Sequence, residues 1–138
     1  MGAWNYGIFD DDTACDALAD LKASSDRFAD METYLDAVIE AEYVDYDEGQ
    51  YALVSAAIID SVINGISYPL DEEDNFEWAT LEKCVDCSIL KEKAVKAIDA
   101  VLSENSELRA LWEENQELYK AWREDKISIQ KRLQGSRL

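Results

Sequence analysis

Four aspartates lie together at the start of the first expected helix, and grouped carboxylates of this kind are able to hold Mg²⁺ or Ca²⁺. They are Asp10, Asp11, Asp12 and Asp16. The glycine and the closing glutamate of an EF-hand loop are missing from the segment that follows. Acidic residues also favour helix N-termini, where they cap free N–H groups and complement the helix dipole. We therefore expect capping and no bound metal. A metal-assisted enzyme using Asp10, Asp12 and Asp16 stays open as an alternative.

A second chemical motif is the C-x-x-C pair Cys84 and Cys87. A thioredoxin-like redox motif would follow a strand of a βαβ unit, and no such pattern precedes this pair. A structural zinc ion needs four ligands, but the chain offers only Cys15 besides and contains no histidine. We interpret both residues as ordinary helical cysteines and leave their redox activity open. An odd count of three cysteines, without a basic and apolar leader, predicts a cytoplasmic protein.

Signals for nucleophilic catalysis and for nucleotide binding are missing. A nucleophile needs a neighbouring base, most often histidine, and the chain has none. Gly2 and Gly7 have the glycine spacing of a phosphate-binding loop, but Ile8 and Phe9 follow where lysine and a hydroxyl residue are required. We predict no catalytic residue and no cofactor, and thus a protein that is not an enzyme.

The elements that would position these residues are helices. Apolar side chains recur three and four positions apart along most of the chain, and no strand-like alternation occurs. The pattern predicts an all-α fold, with one compact domain over residues 1–138 and five to seven helices. A helix near 48–64 is apolar almost all round and should be central, opened by Asp47 and Gln50 at capping-box spacing. Residues 1–11 should be an aromatic arm packed on the core.

Individual apolar stripes can be assigned to these helices, and Ser106 is expected to cap the last one. Helical spacing continues from Leu108 to Trp122, which favours one helix over these residues. The inward positions of the chain are expected to be Ala14, Ala17, Leu18 and Leu21; Phe28, Met31, Leu35, Val38 and Ile39; Leu90, Ala94, Ala97, Ile98 and Val101; then Leu108, Leu111, Trp112, Leu118, Tyr119, Trp122, Ile129 and Leu133.

Charge is distributed unevenly along the sequence. The formal net charge is −18; residues 1–87 hold 22 Asp/Glu and 3 Lys/Arg, and residues 88–138 hold 9 and 10. A negative field of this size repels nucleic acid and anionic membranes and attracts basic partners. The longest apolar run, near residues 52–59, is too short to span a bilayer. We expect neither a nucleic-acid nor a membrane partner.

Two segments resemble a known bacterial family. The first runs from Gly2 through Trp4, Gly7 and Phe9 to Asp16, and the second contains Ser106-Glu107-Leu108-Arg109-Ala110-Leu111-Trp112, followed by Trp122. Both are similar to motifs of the bacterial domain-of-unknown-function 4259 family, whose common glycine is replaced here by Asn5. The resemblance spans almost the whole chain and implies a one-domain helical protein, but it supplies no catalytic residues. The motif residues expected to be structural are Trp4, Gly7, Phe9, Asp10, Asp12, Asp16, Ser106, Glu107, Leu108, Trp112 and Trp122.

The leading functional hypothesis is therefore an acidic binding protein that masks a basic protein partner, as immunity proteins do. The acidic run Asp71, Glu72 and Glu73 is the candidate contact surface, because it lies in a loop between expected helices. The alternatives are the metal-assisted enzyme and a purely structural or oligomeric role.

Overall fold

A computed structural model describes residues 12–24, 26–64 and 90–135 of the chain. These residues are 86% helical and contain no strand, which confirms the all-α prediction and the expected number of helices. The one departure from helix and loop in the described ranges is an isolated parallel bridge between Val44 and Ser106. The six helices are α1 (Asp12–Ala23), α2 (Arg27–Glu40), α3 (Tyr46–Asn64), α4 (Lys91–Leu102), α5 (Glu107–Glu113) and α6 (Gln116–Gly135).

Helix α3 is the central element, as its all-round apolar sequence predicts. Every residue from position 52 to position 60 is buried, and α3 contacts each of the other described helices. With Asp47 as the expected cap, the helix should begin at position 48, but α3 begins two residues earlier, at Tyr46. Asp45 directly precedes this first turn, and its carbonyl accepts a hydrogen bond from the Gly49 N–H at 2.9 Å.

The remaining helices cover α3 with the apolar stripes that the sequence predicts. Most stripe residues are buried, because residues three and four apart lie on one helix face. Leu111, Leu118 and Tyr119 are only partly buried, as are Phe28 and Ile39. The fully covered stripe residues are Ala14, Ala17, Leu18, Leu21, Met31, Leu35, Val38, Leu90, Ala94, Ala97, Ile98, Val101, Leu108, Trp112, Trp122, Ile129 and Leu133.

One predicted continuity is wrong. The helix expected to run from Leu108 to Trp122 is divided into α5 and α6, with a break after Glu113. Asn115 causes the new start, because its Oδ1 accepts a hydrogen bond from the Leu118 N–H at 3.2 Å. Asparagine is among the strongest N-capping residues, so it terminates one helix and opens the next.

The aromatic arm at 1–11, with Trp4, Gly7, Phe9 and Asp10, lies outside the described residues. Within the described helices, none is both long enough and apolar enough to cross a lipid bilayer.

Candidate binding site

The C-terminal motif residues attach the start of α5 to the segment that precedes α3. Ser106 caps α5 as predicted, with its Oγ accepting a hydrogen bond from the Arg109 N–H at 3.3 Å. The Val44 N–H donates to the Asn105 carbonyl at 2.8 Å, and the Glu107 N–H donates to the Val44 carbonyl at 2.9 Å. These bonds hold two segments together that lie some sixty positions apart in the sequence.

Glu107 and Leu108 complete this attachment through their side chains. Glu107 Oε1 accepts a hydrogen bond from the Tyr46 N–H at 3.2 Å, so a residue of α5 satisfies a free donor in the first turn of α3. Leu108 is fully buried against Gly49, where an added Cβ would stand 2.6 Å from Leu108 Cδ1. The contacts of these motif residues are thus with the protein's own helices.

Trp112 and Trp122 stack on each other between α5 and α6. Their ring centroids are 5.9 Å apart with an interplanar angle of 14°. Lys126 lies beside them, 6.0 Å from the Trp122 ring and 2.8 Å from an Asp125 carboxylate oxygen, with only 1% of its side chain exposed. Sequence reasoning missed Lys126, although its position four residues after Trp122 places it on the inner stripe of α6.

The aspartates considered as metal ligands are only partly described. Asp12 is the first residue of α1, and both Asp12 and Asp16 are exposed. Asp10 lies outside the described residues, so the trio as a whole stays a hypothesis. Across the described ranges, no group of three or more carboxylate or cysteine side chains is arranged to hold a metal ion. The acidic run Asp71, Glu72 and Glu73 and the pair Cys84 and Cys87 also lie outside the described residues.

A cavity of about 280 Å³ opens between α2 and α3. Tyr34 and Tyr51 form two of its walls, with ring centroids 5.0 Å apart and ring planes at 83°. The other lining residues are Ala37, Asp47 and Glu48. The cavity therefore combines aromatic walls with two carboxylates, and we call these five lining residues the tyrosine cavity.

Further carboxylates approach the tyrosine cavity from α1 and α2. The Tyr51 hydroxyl donates to Asp20 Oδ2 at 2.7 Å. This bond, together with burial, raises the pKa of Tyr51 well above its ordinary value, and Asp16 adds to the effect. Burial raises the pKa of Tyr34 as well, followed by the negative charges of Asp30 and Asp20.

The pKa of the Glu48 carboxyl, at the edge of the tyrosine cavity, is also raised. Partial burial raises the pKa of the Glu48 carboxyl, and its contact with Asp45 raises it further. A raised carboxyl pKa means that the surroundings disfavour negative charge there. A cation placed in the tyrosine cavity would relieve that cost, so the cavity is electrostatically suited to a positive group.

A second cavity, of about 520 Å³, lies between α4 and α6 and has a lining of mixed charge. Lys91 and Lys96 line it together with Glu92, so both signs of charge are present. This mixture gives no comparable preference for one class of ligand.

The described residues thus define an all-α protein with an acid-rimmed aromatic cavity beside its central helix. The family model described as a domain of unknown function, DUF4259, matches residues 2–125, and the chain belongs to this family. Comparison with curated proteins and with solved structures gave no match.

Proposed function

We propose that this protein is a non-enzymatic binding protein that masks a basic protein partner, in the manner of an immunity protein. The observation that carries the proposal is the difference in charge between the two described parts of the chain. Residues 12–64 hold 13 acidic and two basic side chains, whereas residues 90–135 hold nine of each. A surface dominated by one sign of charge attracts partners of the opposite sign and raises the rate at which they meet.

Most carboxylates in residues 12–64 face solvent. Between the side chains that the structure describes, three of the thirteen take part in ion pairs: Glu32 and Asp36 with Lys93, and Asp60 with Arg132. Among the described side chains, most of the surface carboxylates therefore have no basic partner, which supports a role in attracting cations. The exposed acidic residues of this part are Asp12, Asp16, Asp20, Asp26, Glu40, Glu42, Asp45 and Asp47.

We also propose that the acidic run Asp71, Glu72 and Glu73 contacts the basic partner. We propose the cytoplasm as the compartment, because an odd number of cysteines does not suit a disulfide-stabilised secreted domain. The metal-assisted enzyme and the structural or oligomeric role are the alternatives that experiment must separate from this one.

The test begins with capture of partners by the tagged protein from its host at low ionic strength, followed by mass spectrometry. Association of the purified partner is then measured at increasing salt. We expect a basic protein whose on-rate falls steeply as salt screens the two surfaces. Replacing Asp71, Glu72 and Glu73 with Asn or Gln should slow association while changing stability by less than about 0.5 kcal/mol per site. A specific partner whose on-rate responds neither to salt nor to these substitutions would contradict the proposal.

A further inference from the structure

We infer that the tyrosine cavity receives an arginine side chain of the basic partner. This inference rests on the proposed function and adds to it a place of contact and a residue type.

The shape of the tyrosine cavity fits a long side chain that is apolar along its stem and flat at its end. Ala37 and the two tyrosine rings offer apolar contact for the stem. Tyr34 and Tyr51 both line the cavity, with nearly perpendicular rings, so their aromatic surfaces are available to the group that enters. A guanidinium stacks on an aromatic face, within about 6 Å of the ring centroid, more readily than an ammonium does.

The charge of the rim matches the same group. Asp47 is exposed at the mouth of the cavity, and Glu48 is its neighbour in the first turn of α3. Between side chains that the structure describes, neither carboxylate takes part in an ion pair. A guanidinium can donate several hydrogen bonds in one plane, and two adjacent carboxylates are well suited to accept them.

The carboxylates behind the cavity strengthen its preference for a cation. Asp20 accepts a hydrogen bond from the Tyr51 hydroxyl. This bond makes the Tyr51 ring more electron-rich, which favours a cation stacked on it. The charge of Asp16 acts on Tyr51, and the charge of Asp30 acts on Tyr34. An anionic or neutral ligand would meet this field without compensation. A bare metal ion would find tyrosine rings where it requires further oxygen ligands.

Three synthetic peptides serve as probes: hexa-arginine, hexalysine and hexacitrulline, the last being an uncharged analogue of arginine. Binding to the intact protein is measured by titration calorimetry at low and at physiological ionic strength. We expect hexa-arginine to bind more tightly than hexalysine, and hexacitrulline not to bind. Resonances of the Tyr34 and Tyr51 rings should shift on titration with hexa-arginine.

A matched pair of double variants separates the cavity from the general negative field. Asp47→Asn/Glu48→Gln removes two charges at the cavity, whereas Glu40→Gln/Glu42→Gln removes two charges at exposed positions outside its lining. We expect the first to weaken hexa-arginine binding about tenfold and the second about twofold or less, since contact pairs outweigh distant charges.

The aromatic wall is tested with Tyr34→Leu, which should weaken hexa-arginine binding, and Tyr34→Phe, which keeps the ring and should bind like the unchanged protein. A circular-dichroism melt of each variant checks its fold. If Tyr34→Leu does not fold, the two double variants still test whether hexa-arginine binds at the tyrosine cavity. If both double variants weaken hexa-arginine binding equally, the tyrosine cavity is not the binding site, while the proposed function is unaffected. Hexalysine binding as tightly as hexa-arginine would overturn the assignment to arginine. The proposed function fails separately, if the natural partner associates at a rate that ignores salt.

Discussion

Asp60 on the central helix and Arg132 near the end of α6 form an ion pair across 72 positions of sequence. Arg132 Nε and Nη2 lie 2.9 and 2.8 Å from the same carboxylate oxygen of Asp60. The other oxygen accepts a hydrogen bond from Asn64 Nδ2 at 2.8 Å. Asp60 is fully buried, whereas 33% of the Arg132 side chain is exposed. A buried carboxylate is costly unless it is paired, so this pair fixes α6 against α3.

We expect Arg132→Leu to lower the free energy of unfolding by about 3 kcal/mol, because it leaves the buried Asp60 carboxylate without this counter-ion. The same substitution should cost clearly less in an Asp60→Asn background, where no charge is stranded. Urea unfolding of the four proteins in this double-mutant cycle gives the comparison. Simple additivity of the two single costs would show that the pair does not couple α3 to α6.

Gly49→Ala should destabilise the protein by about 1–3 kcal/mol, the usual cost of overpacking a core. In an unconstrained helix the same change would stabilise by about 1 kcal/mol. The sign of the change in unfolding free energy therefore shows whether the helix is constrained at Gly49. The cause is the 2.6 Å approach that the new Cβ would make to Leu108 Cδ1. Shortening the opposing side chain provides the control: Leu108→Ala should cost less in the Gly49→Ala protein than in the unchanged one. Thermal or urea melts that find Gly49→Ala stabilising would contradict the close contact.

We expect stability to fall at alkaline pH, and to fall less steeply in Tyr51→Phe. The hydrogen bond to Asp20 and burial raise the pKa of Tyr51 above its ordinary value of 10.0. The folded chain therefore holds this proton more tightly than the unfolded chain. The stability that results is complete below about pH 10 and is lost as the pH rises towards the folded-state pKa. Urea melts from neutral to strongly alkaline pH measure the slope, and equal slopes for both proteins would refute the coupling.

Millimolar Mg²⁺ or Ca²⁺ should leave the melting temperature nearly unchanged if Asp10, Asp12 and Asp16 only cap and solvate the start of α1. A specifically bound ion at a hundred times its Kd would add about 2.7 kcal/mol of stability. Calorimetric scans with and without each ion make the test, with Na⁺ at matched ionic strength as the control. A large shift that is specific to one ion and disappears in Asp12→Ala would favour the metal-assisted enzyme instead.

The helices were predictable from the sequence because their apolar spacing is a local property. The stripe Ala14, Ala17, Leu18 and Leu21 needs no knowledge of the rest of the chain, and all four residues are buried. Helix boundaries were less predictable where competing caps lie close together. Asp45 and Asp47 are both good capping residues, and the earlier one opens α3.

The tyrosine cavity was not predictable, because it depends on how α2 and α3 are aligned. Tyr34 lies at the flank of the α2 stripe and Tyr51 on the outer side of α3, and nothing local to either residue places their rings 5.0 Å apart. The same holds for Gly49. Its need for a missing side chain follows only from the close approach of Leu108, which belongs to another helix. Such features arise from the register between helices, which a single sequence does not encode in its periodicity.

The bridge between Val44 and Ser106 also sets an order of events during protein synthesis. Residues of α3 leave the ribosome well before Glu107 is made, yet Glu107 supplies the acceptor for the Tyr46 N–H 61 positions earlier. A nascent chain that stops short of this residue therefore carries a central helix with an incomplete first turn. It also exposes the apolar groove at Gly49 that Leu108 later fills. The core can close there only after the C-terminal third has been made, and we expect the emerging chain to expose this apolar surface to chaperones until then.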